Sequence, residues 1–135
     1  MGSDSSSTNS TKYYINNYWI DGSYGGEAKV YVKSRRVEAY FGVHHFIACD
    51  VSSNDKWIVF EWMNYGRDFY ECESLNAGTC CYLGRFNMSD VYDAVKKASD
   101  YYSYSSDYNC NHWTEKVASN LGINIKVHWN CACVL

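Results

Sequence analysis

The chain has 135 residues, 47% of them hydrophobic, and a formal net charge of −3. That length suits one domain with its own core, and the acidic balance excludes the broad basic surface that nucleic-acid binding needs. Fourteen tyrosines and five tryptophans are unusual. Their rings pair an apolar body with a polar tip and so suit half-buried sheets and cleft walls.

Residues 1–11, MGSDSSSTNST, are Ser-rich and polar and are expected to be disordered. Gly2, followed by Ser6, fits an N-myristoylation pattern, although an initial Met-Gly-Ser is equally a cloning remnant. From residue 12 the signal is β. Tyr13-Tyr14-Ile15 and Tyr18-Trp19-Ile20 are short aromatic runs, and 21–26 is turn chemistry. Residues 28–33 alternate apolar and polar, as a half-buried strand does. Residues 36–49 and 56–62 read as strands, with 43–49 and 57–62 forming a hairpin across a turn at 50–55. Lys33-Ser34-Arg35-Arg36 is the densest basic cluster and is expected to be a solvated loop or edge strand.

Segments 67–73 and 80–84 carry weaker strand signals. Ser89 is a good N-cap, and Val91, Ala94, Val95 and Ala98 follow at helical spacing, which predicts a helix over 89–101. A second helix is predicted from Cys110 to Leu121, with a stripe of Trp113, Val117, Ala118 and Leu121 and a stop at Gly122. A short strand over 123–129 precedes the tail NCACVL. Strands followed by two helices predict an α+β fold, an antiparallel sheet with the helices on one face. The organisation expected is a disordered segment 1–11, one domain over 12–129, and a Cys-containing tail 130–135.

The seven cysteines are an odd number, and no apolar run long enough for a signal peptide or membrane span is visible. Cytoplasmic localisation with mostly free thiols is therefore expected; a disulfide-rich secreted domain would need an export signal. Cys72, Cys80, Cys81, Cys110 and His112 lack the paired spacing of a zinc site, so neither metal nor other cofactor is expected. A prenylation box would need cysteine where Ala132 stands, whereas acylation of Cys131 or Cys133 stays open and would add membrane association.

Cys110 sits at the start of the second predicted helix, just after Asn109. A helix N-terminus favours negative charge and lowers a thiol pKa, which makes the thiolate nucleophile available. A histidine must then act as base and acid. His112 is two positions away and would leave the helix on another face, so it is a supporting rather than a direct partner. His128, late in the chain, has no evident neighbour. His44 and His45 are adjacent in an apolar strand, and alternation sends one of them to each face. The odd positions are the more apolar, so the helices should pack there. His45 is the preferred base, with His44 the close alternative. Glu61, a carboxylate inside the apolar run WIVFEW, is costly to bury without a partner and is the candidate to orient the imidazole.

Asn109-Cys110-Asn111-His112-Trp113 resembles the NC-[E/N/Q]-H-[F/W] motif of permuted papain-like proteins, which include the lecithin:retinol acyltransferase-like (LRAT-like) and PPPDE families. In both, an early strand carries the histidine and a later helix begins with the cysteine. Gly42-Val43-His44-His45-Phe46-Ile47 is similar to the histidine strand, and the likeness spans about residues 36–122. It departs where LRAT-like proteins place a second histidine on the following strand; Glu61 stands there instead. The resemblance implies a circularly permuted papain-like fold and a thiol hydrolase or acyltransferase. Such an enzyme would act through an acyl-thioester on Cys110, with Asn109, Asn111 and His112 supporting the turn or lining an oxyanion hole. Its substrate would be a lipid acyl ester or a peptide or protein conjugate, with peripheral membrane contact. A non-catalytic binding or signalling domain on the same fold is the other reading, motivated by the missing histidine and the tyrosine-rich surface.

Overall fold

The computed structural model describes residues 12–15, 18–21, 26–37, 42–51, 56–63, 66–100, 102–128 and 132–134. The expectations of disorder over 1–11, of an acylated Gly2 and of a modified Cys131 fall outside them. Five strands form the main sheet: β3 (Glu27–Val37), β4 (Gly42–Val51), β5 (Lys56–Met63), β6 (Gly66–Cys72) and β7 (Gly78–Asn87). Their order is β6-β5-β4-β3-β7, with all neighbours antiparallel. Two short hairpins flank it, β1 (Lys12–Ile15) with β2 (Tyr18–Asp21) and β8 (Lys126–His128) with β9 (Ala132–Val134). The tail predicted beyond residue 130 thus contains a strand. The predicted turn at 50–55 starts later, because β4 runs through Val51.

Alternation explains the core. Val30, Val32, Ile47, Cys49, Val51, Ile58 and Phe60 leave one face of the sheet and are buried with residues of α1 (Met88–Asp100) and α2 (Cys110–Asn120). Phe46, Ala48 and Val59 leave the other face and are fully buried beneath Trp57, Tyr70, Cys72, Leu75 and Ala77. The α+β expectation, with an antiparallel sheet and two helices, therefore holds. The basic run 33–36 corrects its sequence reading. It lies in β3, where Lys33 and Ser34 pair with both β4 and β7 and are buried, while Arg35 and Arg36 pair with β4 alone and Arg36 is exposed. Among the described residues no helix is long and apolar enough to cross a membrane.

Trp113 fixes the second helix. Fully buried, it stacks on Trp62 of β5 with ring centroids 6.1 Å apart. Its indole N–H donates to Ser99 Oγ of α1 at 3.0 Å, and Ser99 Oγ donates to Val95 O at 2.7 Å. One side chain thus ties α2 to α1 and to the sheet, and satisfies its polar tip. At the other end Gly122 takes φ +87°, and its N–H and that of Ile123 donate to Ser119 O and Ala118 O. No atom stands within 4 Å of a β-carbon built there. Gly122→Ala is therefore expected to cost only the backbone conformation, about 1–2 kcal/mol, read as a lower urea midpoint with an unchanged slope.

Candidate active site

The pairing of β4 with β5 ends at Ile47↔Phe60, although β4 continues along β3 to Gly42 and β5 continues along β6 to Met63. The two strands therefore part company over the first residues of β4 and the last of β5, and the start of α2 is held at that parting. Trp62 Nε1 donates to Tyr108 O at 3.2 Å, and its ring meets Tyr108 edge-on. On the β4 side, α2 packs against the strand, and the His44 side chain and the His45 backbone favour the charged form of Cys110.

The turn into α2 is built by capping. Asn109, in extended conformation, accepts at Oδ1 from the N–H groups of Asn111 (3.0 Å) and His112 (3.5 Å). His112 Nδ1 accepts in return from Asn109 N–H at 3.2 Å, closing a reciprocal capping box. His112 thus supports the turn and stays away from the thiol. Trp113 N–H donates to Asn109 O at 2.9 Å. Of the helix-start donors, those of Asn111, His112 and Trp113 are therefore used in capping. The Asn111 side-chain oxygen lies 3.7 Å from the Cys110 sulfur.

Of the two adjacent histidines, His44 rather than the preferred His45 has the carboxylate partner. His44 Nε2 meets Glu61 Oε1 at 2.7 Å, and the same ring faces Cys110. Since a carboxylate holds Nε2, that nitrogen carries a proton, which leaves the other ring nitrogen for the thiol. His45 is fully buried on the helix-facing side, and neither of its ring nitrogens has a hydrogen-bond partner. The Asn111 side chain stands near His45 and partly offsets the effect of burial, which still lowers the imidazole pKa and keeps the ring neutral. The helices do pack on the odd-numbered face, as expected. Cys110, however, comes in where β4 and β5 have separated, and there the ring of His44 is within its reach.

Glu61 holds His44 and has further partners. Arg35 Nη2 donates to Oε1 at 2.6 Å, and the Tyr70 hydroxyl donates to Oε2. Burial alone would raise the Glu61 pKa, but bonds from His44, Tyr70 and Arg35 outweigh it and hold the carboxyl below its usual range. Burial likewise disfavours a charged His44, yet Cys110 and Glu61 prevail and raise its pKa. For Cys110, burial opposes ionisation; His44, the His45 backbone N–H and its own N–H overcome it and lower the thiol pKa. The two shifts together favour a thiolate–imidazolium pair.

Sequence reading missed Arg35 and Tyr70. Arg35 is the register partner of His44, so a drawn β3–β4 ladder would have found it. Tyr70 shares the face of Val59, its partner on β5, and Glu61 follows two residues along that strand. The other thiols are set apart. Burial drives the Cys49 pKa far up, and burial followed by nearby carboxylates raises that of Cys72. Cys49, Cys72, Cys81 and Cys110 are free, whereas Cys80 is disulfide-bonded, against the expectation of a mostly reduced set at that position. Among the described residues no group of three or more His, Cys, Asp or Glu side chains could hold a metal ion. The chain matches no protein-family model, no curated protein and no solved structure.

Proposed function

We propose that the chain is a cysteine-dependent hydrolase or acyltransferase that works through an acyl-thioester on Cys110. The observation that carries this reading is the buried Glu61–His44 pair on the two strands against which α2 packs, with Cys110 as the first residue of that helix. The permuted papain-like arrangement that the NCNHW motif resembles runs in the same order, histidine strand before cysteine helix. In the first half-reaction the thiolate bonds to the acyl carbonyl carbon, and the imidazolium of His44 gives its proton to the departing group. In the second, neutral His44 takes a proton from water or an acceptor hydroxyl or amine. That oxygen or nitrogen attacks the thioester, the C–S bond breaks, and the thiolate and imidazolium are restored. Glu61 holds the ring and stabilises its charge. The Cys110 N–H at the start of α2 would donate to the developing oxyanion. A lipid acyl ester or a peptide or isopeptide conjugate fits this chemistry. The setting proposed is cytoplasmic with peripheral membrane contact.

The test is the pH dependence of Cys110 alkylation by a neutral haloacetamide, with the labelled residue identified by peptide mass spectrometry. A depressed thiol pKa means that the thiolate persists as pH falls below the ordinary value of about 8.5, so the rate inflection should lie clearly below it. Cys110→Ala should remove this label. An inflection at the ordinary thiol value would return the chain to a non-catalytic binding domain.

A further inference from the structure

Among the described residues, the only buried side-chain nitrogens or oxygens without a hydrogen-bond partner are the two ring nitrogens of His45. The residue is fully buried on the helix-facing side of β4, and the Asn111 side chain of α2 stands near it. A neutral imidazole leaves one donor and one acceptor unmet there. An imidazolium would bring a full charge and two unmet donors into the same space, which costs far more. We infer that His45 makes the seat of α2 acid-labile: as pH falls below neutral, charging of this ring releases the start of the helix that carries Cys110. This lability belongs to the packing and holds whatever Cys110 reacts with.

The surroundings offer no counter-charge. On β4 the titratable neighbour is His44, whose positive charge opposes a second one. On β3 the register partner is Ser34; Lys33 and Arg35, to either side of it, leave the opposite face, and exposed Arg36 is a further cation. On β5 the Glu61 carboxylate is bonded to His44, Arg35 and Tyr70. From α2, Cys110 responds to the His44 side chain and the His45 backbone rather than to the His45 ring. His112 is exposed and closes the capping box, and Glu115 accepts from the Val127 N–H. Charging is therefore relieved only where the ring reaches water. β4 is held by β3 from Gly42 to Asp50, whereas the first turn of α2 rests on its capping box and on the contacts of Trp62 with Tyr108. The start of α2 is the part that yields.

The pH window follows from linkage. Burial lowers the folded-state pKa of His45 below its ordinary 6.5. A chain with the ring exposed binds the proton more tightly, so stability is full above about pH 6.5 and declines as pH falls toward the depressed value. His44 acts in the opposite sense, because its pKa is raised and its contribution is lost as pH rises. The loss at Glu61 begins lower, in the carboxylate range. A decline between about pH 6.5 and 5 therefore belongs to His45.

The experiment measures urea midpoints of the full chain from about pH 7.5 to 5, together with hydrogen-exchange protection of the backbone amides of residues 110–114, corrected for the intrinsic pH dependence of exchange. In the parent the folded-to-unfolded ratio is expected to fall by up to about tenfold per pH unit below 6.5, the limit set by one proton. Protection of 110–114 should fall over the same window, and before that of β4 or α1. His45→Leu should flatten both profiles. His45→Gln keeps a polar group without a titratable one, so its profiles should be flat even if its midpoint is lower throughout. A parent whose midpoint does not change over the window would overturn the inference. So would a decline that survives in whichever of the two variants folds, or a loss of protection spread evenly over sheet and helices. Neither readout uses the thiol, so failure here leaves the acyl-thioester proposal standing.

Discussion

His44→Ala is expected to lower acyl turnover on Cys110 by roughly 10²- to 10⁴-fold, the range in which a positioned acid–base group acts. His45→Leu should stay within about tenfold of the parent, because general acid–base catalysis is left intact. The contrast discriminates because the residues are adjacent and both buried, so loss of bulk alone would affect them alike. They differ in contacts. His44 joins Glu61 to the sulfur, whereas both ring nitrogens of His45 are without a partner. Replacing an unsatisfied buried imidazole by an apolar side chain of similar reach should be close to neutral for stability. Burst kinetics with an activated acyl ester would separate the two half-reactions, and urea titration would establish that both variants fold. If His45→Leu proved the inactive variant and His44→Ala the active one, the proposed assignment of the base would fail.

Glu61→Ala is expected to cost about 3 kcal/mol, the lower end of what removing one partner from a buried ion pair costs. The carboxylate is almost fully buried and accepts from Arg35, His44 and Tyr70; only Arg35 can turn readily to water. Its pH signature has a definite sign. The folded-state pKa is depressed, so the unfolded chain binds the proton more tightly. Glu61 thus contributes stability that is fully present above the ordinary carboxylate range and is lost as pH falls through the depressed value. Acid titration of the urea midpoint should therefore be shallower in Glu61→Gln than in the parent. Asp68, its register partner on β6, acts in the opposite direction. Burial and then the Glu61 charge raise the Asp68 pKa, so removing that charge should bring it back toward ordinary behaviour. An unchanged acid slope in Glu61→Gln would show that the carboxylate is not held as described.

The helices were legible because their signals are local. Ser89 and the apolar spacing after it placed the first helix over 89–101, and it runs Met88–Asp100. Asn109 and Gly122 bracketed the second, which runs Cys110–Asn120. Glu61 stood out because a carboxylate in an apolar strand needs a partner, and its partners are present. That His44 rather than His45 would meet Glu61 was not legible, for a non-local reason. Alternation assigned His45 correctly to the helix-packed face, but no periodicity reveals that β4 and β5 cease to pair beyond Ile47 and Phe60. Arg35 was read as part of a solvated cluster for a similar cause. Charge density along the chain does not reveal that β3 lies inside the sheet with a buried acid two strands away. Residue 80 was misjudged too, since disulfide formation depends on what the fold brings together.

Glu61 lies on β5, and its three side-chain partners come from β3, β4 and β6. One carboxylate therefore samples the alignment of four successive strands at once. A slip of one residue in any of them would turn its contributing side chain to the opposite face. Arg35, His44 and Tyr70 can converge only in a correctly assembled sheet, and only that sheet presents an oriented imidazole to Cys110. Thiol reactivity thus doubles as an assembly check. A misaligned chain would lack the oriented imidazole, so titration of Cys110 should count the molecules whose strands are in register.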